Sequence, residues 1–350
     1  MLMSMKKAAK SLVKLDPAQR SESVDEFERG MSSLIVGQPD AVQCFVNVYQ
    51  KFCAGMLAVN RPIAVVLFAG STGLGKTRTF EAAAQTLLGS PGAITKIDCG
   101  EFQHSHEIAK LVGSPPGYLG HRETPPILTQ EAIDRFQTKD IHLNFVLFDE
   151  IEKANDSVRQ LMLGIMDKAV LTLGDSRRVH FNETVVGMTT NLGSAEMDKM
   201  LKGAAIGYAK TTPSTGLAAA ATNAIAKEFS PEFMNRIDET VMFRQLDANH
   251  YREIVNIELR IIQERVLSSL KTVPFRMHVC PDVVDHLVQV GISPRYGARE
   301  LKRAIERLIV LPLSSLVATG QIKPADLVTI DCDDMGTIQF FREPAPKDLV

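Results

Sequence analysis

Cysteine is scarce and scattered in this chain. The five in 350 residues (Cys44, Cys53, Cys99, Cys280 and Cys332) form no CxxC pair and no spacing suited to a metal. That excludes a disulfide scaffold and a zinc module, and it predicts free thiols in a reducing compartment, with the cytoplasm as the default. No apolar run approaches the ~20 residues that span a bilayer. The best candidate, Ile63 to Ala69, has the length of a buried strand. The Met- and Lys-rich start lacks an apolar core and a cleavage site, so no secretory leader is expected. Neither charge is in excess: 39 Lys and Arg face 41 Asp and Glu, a net charge of −2. A balance that close gives no global case for a nucleic-acid or membrane-surface partner. Internal repeats are absent too.

The composition is that of an ordinary globular protein, 45% apolar and 23% charged. The length predicts two domains. Residues 1–30 read as a short arm, basic to residue 20 and acidic after it, too small to be a domain. Residues 31–245 alternate short apolar runs with helical stretches. Strands are expected at Ile63–Phe68, Ala93–Ile97, Phe145–Phe148, Thr184–Met188 and Thr240–Phe243, which makes an α/β layout around a mostly parallel sheet. Residues 246–350 read as a smaller, mainly helical domain. Helices are expected over Tyr251–Leu270 and Ala298–Val310, with Leu301, Ile305 and Leu308 on one face. Strand-like runs follow at Leu327–Ile330 and Thr337–Phe340. Within residues 31–245, the stretch Gly203–Ala226, rich in Ala, Gly and Thr with few charges, reads as a loop and then a weak helix.

One motif carries the chemistry. Gly70-Ser71-Thr72-Gly73-Leu74-Gly75-Lys76-Thr77 fits GxxxxGK[ST], with a strand before it and a helix after it. Glycines there let backbone N–H groups wrap a phosphate chain at a helix N-terminus. Lys76 would reach the β- and γ-phosphates, and the Thr77 hydroxyl would help hold Mg²⁺. Asp149 and Glu150 end the third strand. The first complements the magnesium ion, and the second can polarise a water for attack on the γ-phosphate. An Asn-Lys-x-Asp guanine signature is absent, so ATP is the expected nucleotide. His104, His106 and His121 lack partner ligands, and no metal besides magnesium is expected.

Further motifs resemble a known family, the C-terminal ATPase module of Clp-type AAA+ unfoldases (ClpA, ClpB and ClpC), over roughly residues 33–335. Val36-Gly37-Gln38 is similar to the box beside the adenine. Gly113-Ser114-Pro115-Pro116-Gly117-Tyr118-Leu119-Gly120 resembles the substrate-gripping pore loop. Asp149-Glu150-Ile151-Glu152-Lys153-Ala154 is similar to the extended Walker B, and Thr189-Thr190-Asn191-Leu192-Gly193-Ser194 to sensor 1. Phe229 to Asp238 resembles the arginine-finger segment, and Tyr296-Gly297-Ala298-Arg299-Glu300-Leu301 the sensor 2 helix. The resemblance implies a three-layer αβα domain with a parallel sheet, followed by a small helical α+β lid. It also implies ATP and Mg²⁺ as ligands and a homo-oligomeric ring, usually a hexamer, that threads polypeptide through a central pore. Within that scheme Asn191 orients the attacking water, Arg236 reaches the pocket of the next subunit, and Arg299 contacts the γ-phosphate from the lid. Tyr118 and Leu119 grip the substrate.

Other readings of single residues stay open. Arg236 by itself reads as a surface ion pair, Tyr118 as a core tyrosine, and Arg299 as one member of a basic face with Arg295, Lys302 and Arg303. That face keeps a nucleic-acid-linked motor or loader as an alternative, beside a regulatory scaffold that assembles with ATP but hardly turns over. Ala205-Ile206-Gly207-Tyr208 is similar to the loop that docks unfoldases on a ClpP-type peptidase, with tyrosine departing from the pattern in the third place of the tripeptide Ile206-Gly207-Tyr208. His121-Arg122-Glu123-Thr124-Pro125-Pro126 replaces acidic residues at the pore entrance, which predicts a preference for less basic substrates. Asp167 to Leu171 lacks the usual Gly-Arg. The chain leaves no room for a first ATPase module, a middle coiled coil or an N-terminal adaptor domain.

Overall fold

The computed structural model describes residues 15–114, 125–193, 224–268, 273–292, 297–333 and 335–343. The five expected apolar runs all become strands of one sheet: β1 (Ala64–Ala69), β2 (Thr95–Asp98), β3 (Asn144–Asp149), β6 (Thr184–Thr190) and β7 (Glu239–Met242). Their order is β2-β3-β6-β1-β7, and every pairing is parallel. Parallel strands are covered on both faces, so they read as continuous apolar runs. The two faces separate by alternation. Val65, Leu67, Val146, Phe148, Val186 and Met188 enter one core. Ala64, Val66, Phe68, Phe145, Leu147 and Val185 enter the other.

Helix α4 (Asp156–Lys168) covers the first face through Val158, Met162, Ile165 and Met166. The second face is covered by α1 (Glu22–Ser32), α2 (Pro39–Cys53) and α3 (Lys76–Leu88). Phe45 and Phe80 pack edge to face there, with ring centroids 5.0 Å apart, beside Phe68. The result is an αβα sandwich. Residues 22–30, which the sequence places in a charged arm, belong instead to this packing: Val24, Phe27 and Met31 are buried at helical spacing, so α1 closes the core.

Two short strands of this domain escape the sequence reading. Strands β4 (Val170–Thr172) and β5 (Arg178–His180) form an antiparallel hairpin after α4. Ala169 ends that helix in the left-handed region at φ 49°, where the missing glycine would sit without strain. The methyl group costs about 1 kcal/mol in that conformation.

The C-terminal part builds a separate core around Tyr251, Val255, Leu259, Leu287, Leu301, Ile305 and Ile330. It comprises α5 (Ala248–Ser268), β8 (Arg276–Val279), α6 (Pro281–Gly291), α7 (Ala298–Ile305), α8 (Leu311–Ala318), β9 (Leu327–Cys332) and β10 (Ile338–Glu343). The sheet order is β10-β9-β8, with β8 parallel to β9. The helix expected over Ala298–Val310 is α-helical only to Ile305 and continues as a π-turn over Glu306–Val310. Leu308 packs against the same core as Leu301 and Ile305, as expected, and Ile309, one turn beyond Ile305, is fully buried beside it. Among the described residues, no helix is long and apolar enough to cross a membrane. All five cysteines are free.

Candidate nucleotide site

The site lies at the carboxyl ends of the parallel strands, where open α/β sheets bind ligands. β1 runs into the Gly70–Thr77 loop, and α3 begins at Lys76. Gly70, Gly73 and Gly75 take φ values of 150°, 83° and 99°, which only glycine adopts freely. A side chain at Gly70 would also press on Phe243, 2.9 Å from its Cβ. No side chain caps α3 at Gly75. By contrast, α4 is capped by Asn155, whose side-chain oxygen accepts the Ser157 N–H at 2.9 Å. The uncapped N–H groups of α3 are therefore free to meet an anion.

Lys76 is only 8% exposed. Its ammonium donates to the Gly70 carbonyl (2.5 Å), the Ser71 carbonyl (3.0 Å) and Asn191 Oδ1 (2.9 Å). Burial pushes its pKa down to about 8, against the opposing pull of Glu152, Asp149 and Glu150. Thr77 Oγ1 donates to Asp149 Oδ1 at 3.1 Å. Thr189, buried on β6, donates to the same oxygen at 2.5 Å, and its hydroxyl accepts the Glu150 N–H at 2.9 Å. Lys96, reaching across from β2, pairs with Asp149 Oδ2 at 2.8 Å. Burial alone would raise the Asp149 carboxyl, but the Lys96, Thr189 and Thr77 donors together hold it below the usual carboxylate range. A hydroxyl and a carboxylate side by side are the hard oxygen donors that suit Mg²⁺, which keeps several waters and takes phosphate oxygens as further ligands. Thr77 and Asp149 fit that ion.

Glu150 sits in the left-handed region at φ 59°, at the sharp turn where β3 ends. Its carboxylate pairs with Lys153 and accepts Asn191 Nδ2 at 3.2 Å. The Lys153 hydrogen bond above all lowers its pKa, so it is an ionised base at neutral pH. Asn191 therefore joins Lys76 to Glu150, and its Oδ1 also accepts Thr72 Oγ1 at 3.2 Å.

The cleft continues past the loop between Ile35, Val36, Leu246, Ile254 and Ile257, an apolar slot suited to a base. Gln38 fixes its floor: Nε2 donates to the Arg244 carbonyl at 2.8 Å, and Oε1 accepts the Arg244 N–H at 2.9 Å. Arg299 and Lys302, one helical turn apart on α7, line the opposite wall.

Lys76, Thr77, Asp149, Glu150 and Asn191 thus converge, with Val36 and Arg299 in the same cleft. Arg236 does not line it. The Arg236 guanidinium instead pairs with Asp167 (3.4 Å) and Glu232 (3.2 Å), while its backbone carbonyl accepts Arg61 Nη2 at 3.3 Å. Tyr118, Leu119, Ile206, Gly207 and Tyr208 lie outside the described residues. Sequence reasoning assigned no task to Lys96, and it placed Gln38 and Thr189 within motifs without giving either side chain its partner. A lone lysine within the run Ala93–Ile97 is the one visible hint, and only the β2–β3 pairing gives it meaning.

A family model described as AAA domain (Cdc48 subfamily) matches residues 61–240, and one for the C-terminal, D2-small domain of ClpB protein matches residues 246–330. The chain belongs to the Clp-type AAA+ family. This AAA+ chain is 34% identical over 341 residues to a ClpA homolog, CD4B, chloroplastic, of Solanum lycopersicum, covering 94% of the chain and 36% of the relative. It is also 34% identical to the chaperone protein ClpB of Vibrio cholerae, covering 89% of the chain and 34% of the relative. Among solved structures, the S. cerevisiae Hsp104–casein complex in an extended conformation superposes with a TM-score of 0.77 at 26% identity. That match covers 96% of this chain and 56% of the other. The AAA+ chain spans about a third of the length of the curated relatives it matches.

Proposed function

We propose that this AAA+ chain hydrolyses ATP as one module of a ring, usually a hexamer in the family, that unfolds protein substrates by drawing them through a central pore. The observation that carries the reading is Asn191, bonded at once to the phosphate-loop lysine and to the candidate base Glu150.

ATP would lie with its base against Val36, Leu246 and Ile254 and its phosphates along Gly70–Thr77. Lys76 exchanges its carbonyl partners for β- and γ-phosphate oxygens. Thr77 and Asp149 would hold Mg²⁺, which when bound would neutralise charge on the phosphates. Glu150 takes the proton of the attacking water while Asn191 aligns that water. Arg299 touches the γ-phosphate from the lid, so nucleotide state sets the lid angle. Arg236, absent from its own cleft, serves the neighbouring subunit, where a finger arginine is worth about 10³–10⁵ in rate. Tyr118 and Leu119 grip the polypeptide. The casein in the Hsp104 structure supports protein as the substrate class. Docking of a ClpP-type peptidase through Ile206-Gly207-Tyr208 is the finer partner reading, tested by pull-down with Tyr208→Ala. Unpaired cysteines suit the cytoplasm or another reducing compartment.

The test is Glu150→Gln. The variant should bind ATP, lose about 10²–10⁴ in turnover, and retain client polypeptides on purification. Recovery of nucleic acid in their place would favour the motor or loader reading.

A further inference from the structure

Glu152 has no part in the scheme above, yet it stands directly behind the residue that carries it. Its Oε1 accepts the backbone N–H of Asn191 at 3.0 Å. Its Oε2 is buried and takes no hydrogen bond. An unpaired carboxylate oxygen under the surface destabilises a fold, so packing alone gives no reason for glutamate here. The backbone around it is held from both sides. The Glu152 carbonyl accepts Arg159 Nη2 at 3.0 Å, and the preceding turn is closed by the Lys153 N–H on the Glu150 carbonyl at 2.9 Å.

Asn191 is the first residue beyond β6, two residues before Gly193 turns at φ 77°. Strand pairing no longer fixes its backbone there. The Glu152 carboxylate does so instead, and the Asn191 side chain then spans Lys76 Nζ on one side and Glu150 Oε1 on the other. We propose that Glu152 is a positioning residue, clamping the Asn191 backbone so that the Asn191 amide holds Glu150 and Lys76 in working register. The inference rests on the ATPase reading above and assigns a further residue to the same reaction. Beside the pull of its charge on Lys76, Glu152 reaches the reacting groups through Asn191, which gives it a distinctive signature.

The experiment compares the full chain with Glu152→Met, Glu152→Gln, Asn191→Ala and the double variant Glu152→Met/Asn191→Ala. Three quantities are measured: affinity for a fluorescent ATP analogue, kcat for ATP hydrolysis, and the thermal midpoint. Methionine keeps the volume but offers no acceptor, so kcat should fall by about tenfold to a hundredfold, as for other partners that orient a reacting group. Affinity should stay within about twofold, because the lost interaction matters in the transition state. Glutamine keeps an acceptor and should retain turnover within about threefold. The double variant should be no slower than Asn191→Ala alone.

Multiplying losses in the double variant, wild-type kcat in Glu152→Met, or a Glu152→Gln as slow as the methionine variant would each overturn the proposal. Should methionine prevent folding, the glutamine arm still decides. A wild-type chain without turnover would sink the ATPase reading and this inference with it, whereas turnover with multiplying losses would sink the inference alone.

Discussion

The carbonyl oxygen of Gly73 accepts the backbone N–H of Ala298 at 3.2 Å, so the first turn of the lid helix rests on the phosphate loop itself. The residue between them in space is Gly297, at φ 52°, ψ −140°, a conformation reserved for glycine. An added Cβ would stand 3.1 Å from the carbonyl oxygens of both Gly73 and Thr72. Phosphate loop and lid therefore meet through backbone, with Arg299 lining the cleft beside them.

Gly297→Ala should weaken nucleotide binding by about tenfold, the equivalent of ~1–2 kcal/mol of backbone strain. The fold takes this conformation without nucleotide as well, so the thermal midpoint should fall by only about 2–8 °C, the lid core around Leu301 and Ile305 being untouched. Titration with a fluorescent nucleotide beside a melting curve separates the two.

Lys76 makes binding depend on pH. Its folded-state pKa, about 8, lies below the ordinary 10.5 because burial disfavours the charged form. Affinity for ATP should be level below pH 8 and decline above it as the ammonium loses its proton. The same shift has a consequence for stability. Between pH 8 and 10.5 the unfolded chain binds the extra proton, so the cost of burying this charge is present at neutral pH and is relieved as pH rises through that window. Lys76→Met should therefore be more stable than the wild type at pH 7, with the gap closing by pH 10. Denaturant melts at both pH values check this.

Gly187 sits in the middle of β6 under the Phe80 ring, where a Cβ would fall 2.0 Å from Cζ. Gly187→Ala must displace the ring that packs against Phe45 and Phe68. A loss of about 1–3 kcal/mol is expected, read as a lower midpoint in urea with an unchanged slope.

Arg236 makes a prediction about assembly. Under the proposed finger role, Lys76→Ala alone would lack a competent pocket, and Arg236→Ala would lack the finger for its neighbour. Mixed and co-assembled, an Arg236→Ala pocket can receive the finger of a Lys76→Ala subunit, so part of the ATPase rate should return. Two inactive variants that remain inactive on mixing, in rings shown to be mixed, would place the arginine in some other role.

The long, doubly covered strands were legible as runs such as Val65–Phe68 and Phe145–Phe148, because burial on both faces demands unbroken apolar sequence. β4, β5 and β8 were not, since three or four half-exposed residues carry no such demand. The helical repeat after Ala298 was legible, including the packing of Leu308 with Leu301 and Ile305, but the π-turn over Glu306–Val310 was not, because it leaves no mark on the apolar spacing.

Gly70–Thr77 and Asp149-Glu150 already pointed to a phosphate-binding cleft, and the resemblance added Asn191 and Arg299, because groups that need fixed local geometry are written as contiguous motifs. Which of them touch was beyond the linear pattern. Lys96 beside Asp149, Thr189 beneath it and Glu152 behind Asn191 depend on the order β2-β3-β6, on strand register and on the turn after β3. Those contacts join residues up to 53 positions apart in the chain, and only the closed sheet brings them within hydrogen-bonding distance.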